Sequence, residues 1–272
     1  MIEDLFLVEK QAYQTSVIHQ LDARIKIVIA FAGILSVVAF PYITAIYLLG
    51  GLFFIFFGLL WLLSGLSPMV YIKRLILTLP FGIFIIFFQI FFKNPHYADF
   101  HPVAALPLGI FIYAESIEFA SILLIKFIIC ISFIILLSST TKMHDLLKGA
   151  RRLGLPAEFA LCIGMMIRYL FVFAQMLRRI KNAMDTRCFD PFDQSLSYRY
   201  RLQILGNTVG MMFIRSYEQG ERTYMSMLCR GYSVDSHVFT EKKPLRLSEW
   251  AVLGFSLIFI IGATAGIYLS IV

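Results

Sequence analysis

Apolar residues run almost unbroken from Ile25 to Gly65, about forty positions, or twice the ~20 that carry a helix across a bilayer. Phe40-Pro41-Tyr42 divides the run, because proline lacks the N–H that an interior helical position must donate. The pattern predicts two helices, 25–40 and 43–64, with Ser67-Pro68 closing the second. Leu75–Phe92 predicts a third span, kinked at Pro80. Ile117–Ser138 predicts a fourth, carrying one charge, Lys126, and Trp250–Val272 a last one. Between the third and fourth, residues 93–113 hold Pro95, Pro102, Pro107 and Gly109 and read as a polar loop.

Residues 139–247 follow another pattern. They contain 17 of the 24 Lys and Arg, which by the positive-inside rule makes the whole segment cytoplasmic. Counting back through the spans puts the N-terminus inside, the 93–113 loop outside and the C-terminus outside. Within the segment, Thr141-Lys-Met-His-Asp145 opens an amphipathic helix to about Arg152, stopped by Gly154 and Pro156. A long helical pattern then runs from Ala157 to about Arg187. Its first half is apolar enough to suggest a sixth span, but Arg168 interrupts it, and a charge at the centre of a span costs roughly 2.5–3.5 kcal/mol on insertion scales. A helix over 157–177 lying against the membrane domain is therefore expected. Asp190-Pro191-Phe-Asp193 predicts a turn, and 198–229 a third helix with a favourable Glu218/Arg222 pair. The stripe Leu205, Val209, Met212, Ser216, Gln219 predicts an apolar face that fades toward the C-terminal end. The expected class is all-α and polytopic: an N-terminal segment 1–24, four spans over 25–138, cytoplasmic helices over 139–247 and a last span over 248–272.

Composition agrees. The chain is 59% hydrophobic with 27 Phe, against about 45–50% apolar in an ordinary soluble domain. The acidic start, Met1-Ile-Glu-Asp, lacks a basic signal-peptide n-region, so the first apolar stretch is expected to stay in the mature chain. A net charge of +7 is accounted for by a membrane face beside anionic lipid, so nucleic acid is not expected as a partner. Cys130, Cys162, Cys188 and Cys229 include no Cys-x-x-Cys spacing, which argues against a disulfide framework or zinc site.

Two short stretches repeat: Met184-Asp-Thr-Arg187-Cys-Phe189 and Met227-Leu-Cys-Arg230-Gly-Tyr232. Each reads Met-x-x-Arg-x-aromatic and ends a long predicted helix. An arginine there can cap the unpaired carbonyls of its own helix, or it can grip a partner through paired hydrogen bonds. Small or thiol neighbours (Thr186 and Cys188; Cys229 and Gly231) leave room for the second, and two similar knobs suggest a dimeric or pseudo-dimeric partner. His96, Asp99 and His101 offer cobalt- or nickel-type ligands in the outer loop, but no further ligand of convincing spacing joins them, and an ordinary polar loop is the simpler expectation. His19, His144 and His237 are scattered. Lys126 reads either as part of a proton or substrate path or as a lysine that snorkels or faces another subunit. There is no phosphate-binding G-x-x-x-x-G-K-[ST] loop, no nucleophile elbow and no H-E-x-x-H, so no catalytic residue, cofactor or metal site is expected, and ATP should be hydrolysed by another chain. The alternative from a different class is a membrane-embedded lipid-modifying enzyme, which would need clustered acids or histidines that are not found.

Ser16-Val-Ile-His19-Gln-Leu21-Asp22-Ala-Arg24-Ile-Lys26 resembles the S-x-x-H-x-L-D-P-R-x-K opening of the transmembrane component of energy-coupling factor (ECF) transporters. Thr186-Arg187-Cys188 and Cys229-Arg230-Gly231 align with that family's two Ala-Arg-Gly signatures. Arg168-Tyr169-Leu-Phe171 and Ser216-Tyr217-Glu218-x-x-Glu221-Arg222-x-Tyr224 are similar to its stretches within the two long helices. The likeness covers nearly the whole chain, and the Tyr13 region looks most like the cobalt/nickel branch. The chain departs at Ala23 for proline, at Thr186 and Cys188 for alanine and glycine, and at Cys229 for alanine. The resemblance implies a scaffold in a prokaryotic plasma membrane. Two ATP-binding-cassette ATPases would dock at Arg187 and Arg230, with Met184, Thr186, Cys188, Met227, Cys229 and Gly231 around them. A separate membrane subunit would bind cobalt or nickel.

Overall fold

A computed structural model describes residues 16–90, 102–105, 111–189, 197–233 and 244–270. The class is all-α. Among the described residues there are nine helices: α1 (Val17–Gln20), α2 (Ala23–Ala39), α3 (Ile46–Ser64), α4 (Pro68–Gln89), α5 (Ala114–Thr140), α6 (Met143–Arg152), α7 (Ala157–Asp185), α8 (Tyr198–Cys229) and α9 (Leu247–Leu269). They fall into two compact units, α1–α6 with α9, and α7 with α8. The unit boundary at Gly154 thus leaves α6 with the membrane helices, whereas the sequence pattern groups it with the helices that follow.

Local chemistry sets the ends. Asp22 caps α2 by accepting from the Arg24 N–H at 3.1 Å, and Pro41 follows its last turn. Gly65, at φ 68°, closes α3 in the left-handed region. Pro68 opens α4 at a position where a missing N–H costs nothing, and α4 continues through Pro80. The loop expected over 93–113 contains a short antiparallel ladder, β1 (Pro102–Ala105) with β2 (Phe111–Tyr113). Pro102 is tolerated there because it opens the strand, where its absent N–H is least missed.

Five described helices are long and apolar enough to cross a membrane, as expected, but they are α3, α4, α5, α7 and α9. The expected span at 25–40 is not among them, and 157–185 is. The 17 residues of α2 reach only about 25 Å, because Pro41 stops the helix and Asp22 fixes its start. The 29 residues of α7 include an apolar first half long enough to qualify despite Arg168.

In the first unit, α5 is the central post. Gly33 of α2 lies against Phe133, and Gly50 of α3 against Ile125, too close for any added side chain to fit freely. Gly82 of α4 meets Phe127 in the same way. The main core joins Ile25, Val37, Leu49, Phe53, Ile122, Phe133 and Ile260 from α2, α3, α5 and α9. A second cluster joins Phe57, Trp61, Ile131 and Ile135. Directions follow from the pairs. Lys26 bonds near the end of α5 and Phe40 near Lys126, so α2 and α5 are antiparallel. Tyr47 bonds Ser121 while Phe53 packs edge-on against Phe133, so α3 runs with α5. Arg74 bonds Ser139 while Gly82 meets Phe127, so α4 runs against it. Asp22 bonds Glu249 at the start of α9. The starts of α2, α4 and α9 and the ends of α3 and α5 therefore share one side of the bundle.

Candidate functional site

The two repeated stretches fold into the same backbone cap. At the end of α7 the Phe189 N–H donates to the Met184 carbonyl at 3.1 Å and the Cys188 N–H to the Asp185 carbonyl at 3.0 Å. At the end of α8 the Tyr232 N–H donates to Met227 at 3.0 Å and the Gly231 N–H to Leu228 at 2.9 Å. Each pair encloses one left-handed residue, Cys188 at φ 51° and Gly231 at φ 80°. This double bond with a left-handed residue is a standard way to satisfy the last helical carbonyls, and an apolar contact between its first and last residues accompanies it. The repeat supplies that pair: Met184 with Phe189, and Met227 with Tyr232. All four are half-buried among exposed neighbours. The spacing Met-x-x-Arg-x-aromatic is thus the spacing of the cap, with Arg187 and Arg230 at its hinge.

Both arginines are exposed, as are Thr186, Cys188, Cys229 and Gly231. Among the described residues neither guanidinium is hydrogen-bonded or ion-paired. Backbone N–H groups close the helix ends, so the arginine side chains do not serve as the caps.

The second unit places the two tips apart. The Tyr169 hydroxyl meets the Thr223 hydroxyl, and the Phe189 ring packs edge-on over Tyr200 at 6.3 Å. A residue in the first half of α7 thus faces a late one of α8, and the cap that follows α7 faces the first turn of α8. The helices are antiparallel. At 1.5 Å per residue, Arg230 lies about 45 Å along α8 from the turn that receives Phe189. No residue of α8 is buried, and only Ala160 of α7 is. Val209, expected on the packed stripe, is 67% exposed, because the half-buried row runs instead through Leu205, Thr208, Met212, Ser216, Gln219, Thr223 and Met227. The row turns polar midway but stays half-covered up to the cap. Glu218 and Arg222 pair at 3.9 Å on the exposed face, as the spacing predicts.

The N-terminal motif builds a junction in the first unit. The Ser16 hydroxyl contacts His19 Nδ1 at 2.7 Å. Asp22, besides capping α2, accepts from Arg152 of α6 at 3.5 Å, and its N–H donates to Glu249 of α9 at 3.2 Å. Lys26 is only 8% exposed and donates to the carbonyls of His19 at 3.2 Å and Thr140 at 2.9 Å. Gly149 of α6 packs on Ala23, where an added Cβ would stand 3.0 Å from the Ala23 methyl and 3.2 Å from its backbone carbon. Five helices, α1, α2, α5, α6 and α9, meet at this one motif.

Lys126 neither snorkels nor faces another subunit. Buried at 6% exposure, its ammonium donates to the Phe40 carbonyl at 2.5 Å and lies 4.0 Å from the Tyr42 ring centroid. It closes the end of α2, where the dipole is negative and carbonyls lack partners. The signal was present in the sequence, as a lysine in one apolar run and a proline-broken helix end in another, but only the packing joins them.

His96, Asp99, His101 and His237 lie outside the described residues. His144 is exposed on α6. Among the described residues no three His, Cys, Asp or Glu side chains gather closely enough to hold a metal ion, and the four cysteines are free thiols.

The sequence model of the CbiQ family, described as cobalt transport protein, matches residues 14–240. The chain is 28% identical over 255 residues to the energy-coupling factor transporter transmembrane protein EcfT of Thermosediminibacter oceani, covering 88% of this chain and 89% of that one. It is 24% identical over 259 residues to an uncharacterised protein of Methanocaldococcus jannaschii, covering 94% of this chain and 84% of the relative. A second uncharacterised protein of that archaeon is 24% identical over 228 residues, covering 83% of this chain and 80% of the relative.

Proposed function

This chain belongs to the CbiQ family of cobalt transport proteins, and we propose that its two arginine-tipped helices couple a pair of ATPases to a substrate-binding membrane subunit. It is a transmembrane component of the energy-coupling factor type and not itself an enzyme. The observation that carries the reading is the pair of matching caps, which leave two guanidiniums exposed, and unpaired among the described residues, at opposite ends of one antiparallel helix pair.

A guanidinium offers a planar fork of donors that suits a carboxylate-lined groove. Two tips on the order of 45 Å apart suit one socket on each of two subunits better than a single groove. Closure of an ATPase dimer on ATP would move the two sockets, and stiff helices would carry that motion toward the membrane, where the substrate subunit is reoriented. The cargo is a divalent cobalt or nickel ion, handled as substrate by that other subunit.

The orientation has support of its own. The chain leaves the first unit after α6 and re-enters at α9 on the same side of the bundle. A single crossing by α7 would need a return crossing, and α8 is not apolar enough to make one. The reading therefore has α2, α3, α4, α5 and α9 cross the membrane and α7 not cross it. The shared side carries Arg24, Arg74, Arg151, Arg152 and Arg246, which supports a cytoplasmic face by the positive-inside rule. The N-terminus is then inside, and the β1–β2 loop and the C-terminus outside.

The test is the double variant Arg187→Ala, Arg230→Ala in the complete complex. It should lose uptake and release the ATPases at normal membrane abundance, since each lost charge-assisted interface contact costs about 2–5 kcal/mol of binding. Arg→Lys should rescue poorly, because an ammonium cannot form the fork. A double variant that keeps its full ATPase complement and transport per molecule would sink the reading.

A further inference from the structure

We propose that the residues flanking each arginine are positioning residues. Met184 with Phe189, and Met227 with Tyr232, lock a left-handed cap that aims the guanidinium, and the α8 cap is the less strained of the two. The proposal rests on the docking reading and goes beyond it, because it assigns a function to the Met, aromatic and left-handed positions of the repeat.

Both caps use the same two backbone bonds, with lengths of 2.9–3.1 Å. Each fixes φ and ψ on either side of the arginine Cα, so the guanidinium starts from a defined direction and the last helical turn does not fray. Without the cap, the last carbonyls would turn to water and the arginine would sweep a wide cone, weakening any bidentate contact.

The caps differ at the left-handed position. Gly231 adopts φ 80° without a Cβ to object, and among the described residues no atom lies within 4 Å of where a Cβ would stand. Cys188 adopts φ 51° with a Cβ, a conformation that disfavours side-chain-bearing residues roughly five- to tenfold or more. Phe189 offsets part of this by packing on Tyr200, which ties the first tip to the start of α8. The left-handed position is therefore strained at the α7 tip and unstrained at the α8 tip.

The test uses the full chain with its ATPases and compares Gly231→Val with Gly231→Asn. Both keep Arg230, and among the described residues nothing stands within 4 Å of the added Cβ. They differ in that asparagine tolerates the left-handed region and a β-branched residue does not. Gly231→Val should speed amide exchange at Tyr232 by about tenfold or more and lower ATPase retention, while Gly231→Asn stays near wild type in both. Cys188→Gly should slow exchange at Phe189 and keep or raise ATPase retention. If Gly231→Val opens the cap yet retains the ATPases, while Arg230→Ala loses them, the positioning role is wrong and docking stands. If valine and asparagine lose the ATPases equally, side-chain bulk rather than backbone direction governs the contact, which also overturns the proposal. If Arg230→Ala and Arg187→Ala both keep the ATPases, docking fails and the positioning role falls with it.

Discussion

Lys26 and Lys126 stand in reciprocal positions on one antiparallel helix pair, each ammonium closing the C-terminal end of the other's helix. Lys26 of α2 donates to the last carbonyl of α5, Thr140, and Lys126 of α5 donates to the carbonyl after α2, Phe40. Each lysine thus meets the negative end of a helix dipole and satisfies a carbonyl that has no helical partner. Two charges inside an apolar bundle are in this way structural.

Lys126→Met should accordingly destabilise the fold without abolishing transport. The substitution removes a buried charge but strands the Phe40 carbonyl, a net cost of about 1–3 kcal/mol. Lys26→Met should behave alike. Lower melting temperatures in detergent, with uptake per folded molecule retained, are the expected result. A stable Lys126→Met protein with no uptake would instead restore the proton- or substrate-path reading.

The Asp22 junction makes a second expectation. Asp22→Ala removes the α2 cap and the contact with Arg152, and a lost cap alone typically costs about 1 kcal/mol. Gly149→Ala should be at least as harmful, because its new methyl meets Ala23 backbone, which cannot swing aside as a side chain would. Proteolysis between α6 and α7 should become faster in both variants. Unchanged melting and cleavage would show that the junction contributes nothing to holding α6.

Orientation can be read by thiol labelling of sealed cells in a background lacking Cys130, Cys162, Cys188 and Cys229. A membrane-impermeant reagent should modify Asp99→Cys and leave Asp193→Cys untouched until the membrane is opened. Labelling of position 193 in intact cells would reverse the proposed topology.

The purified chain alone should show no ATP hydrolysis, since it has neither a phosphate-cradling loop nor a hydroxyl placed to hold magnesium. Adding the partner ATPases should restore hydrolysis, and the Arg187→Ala, Arg230→Ala variant should leave that hydrolysis uncoupled from uptake. Turnover by a preparation free of other proteins is the contrary result.

The sequence by itself determined the helical class, because apolar runs of bilayer length leave the backbone no other way to satisfy its polar groups. It placed α6, α7 and α8 to within a few residues, since Gly154, Pro156 and Pro191 are local stop signals. It also displayed the arginine repeat. What the repeat means was decided by the tertiary structure, because a cap is a matter of φ and hydrogen-bond direction at Cys188 and Gly231, which residue identity alone does not specify when one of them is not glycine. The lysine pair was likewise invisible. Its partners lie 86 and 114 positions away in the chain, and only packing brings a charge onto a distant carbonyl. The membership of the five candidate spans also turned on structure, because the end of α2 is set by Pro41 and its start by Asp22, whose side chain bonds α2 and α6 and whose N–H bonds α9. Local signals fix where helices begin and stop; which buried charge answers which helix end depends on contacts that no local pattern records.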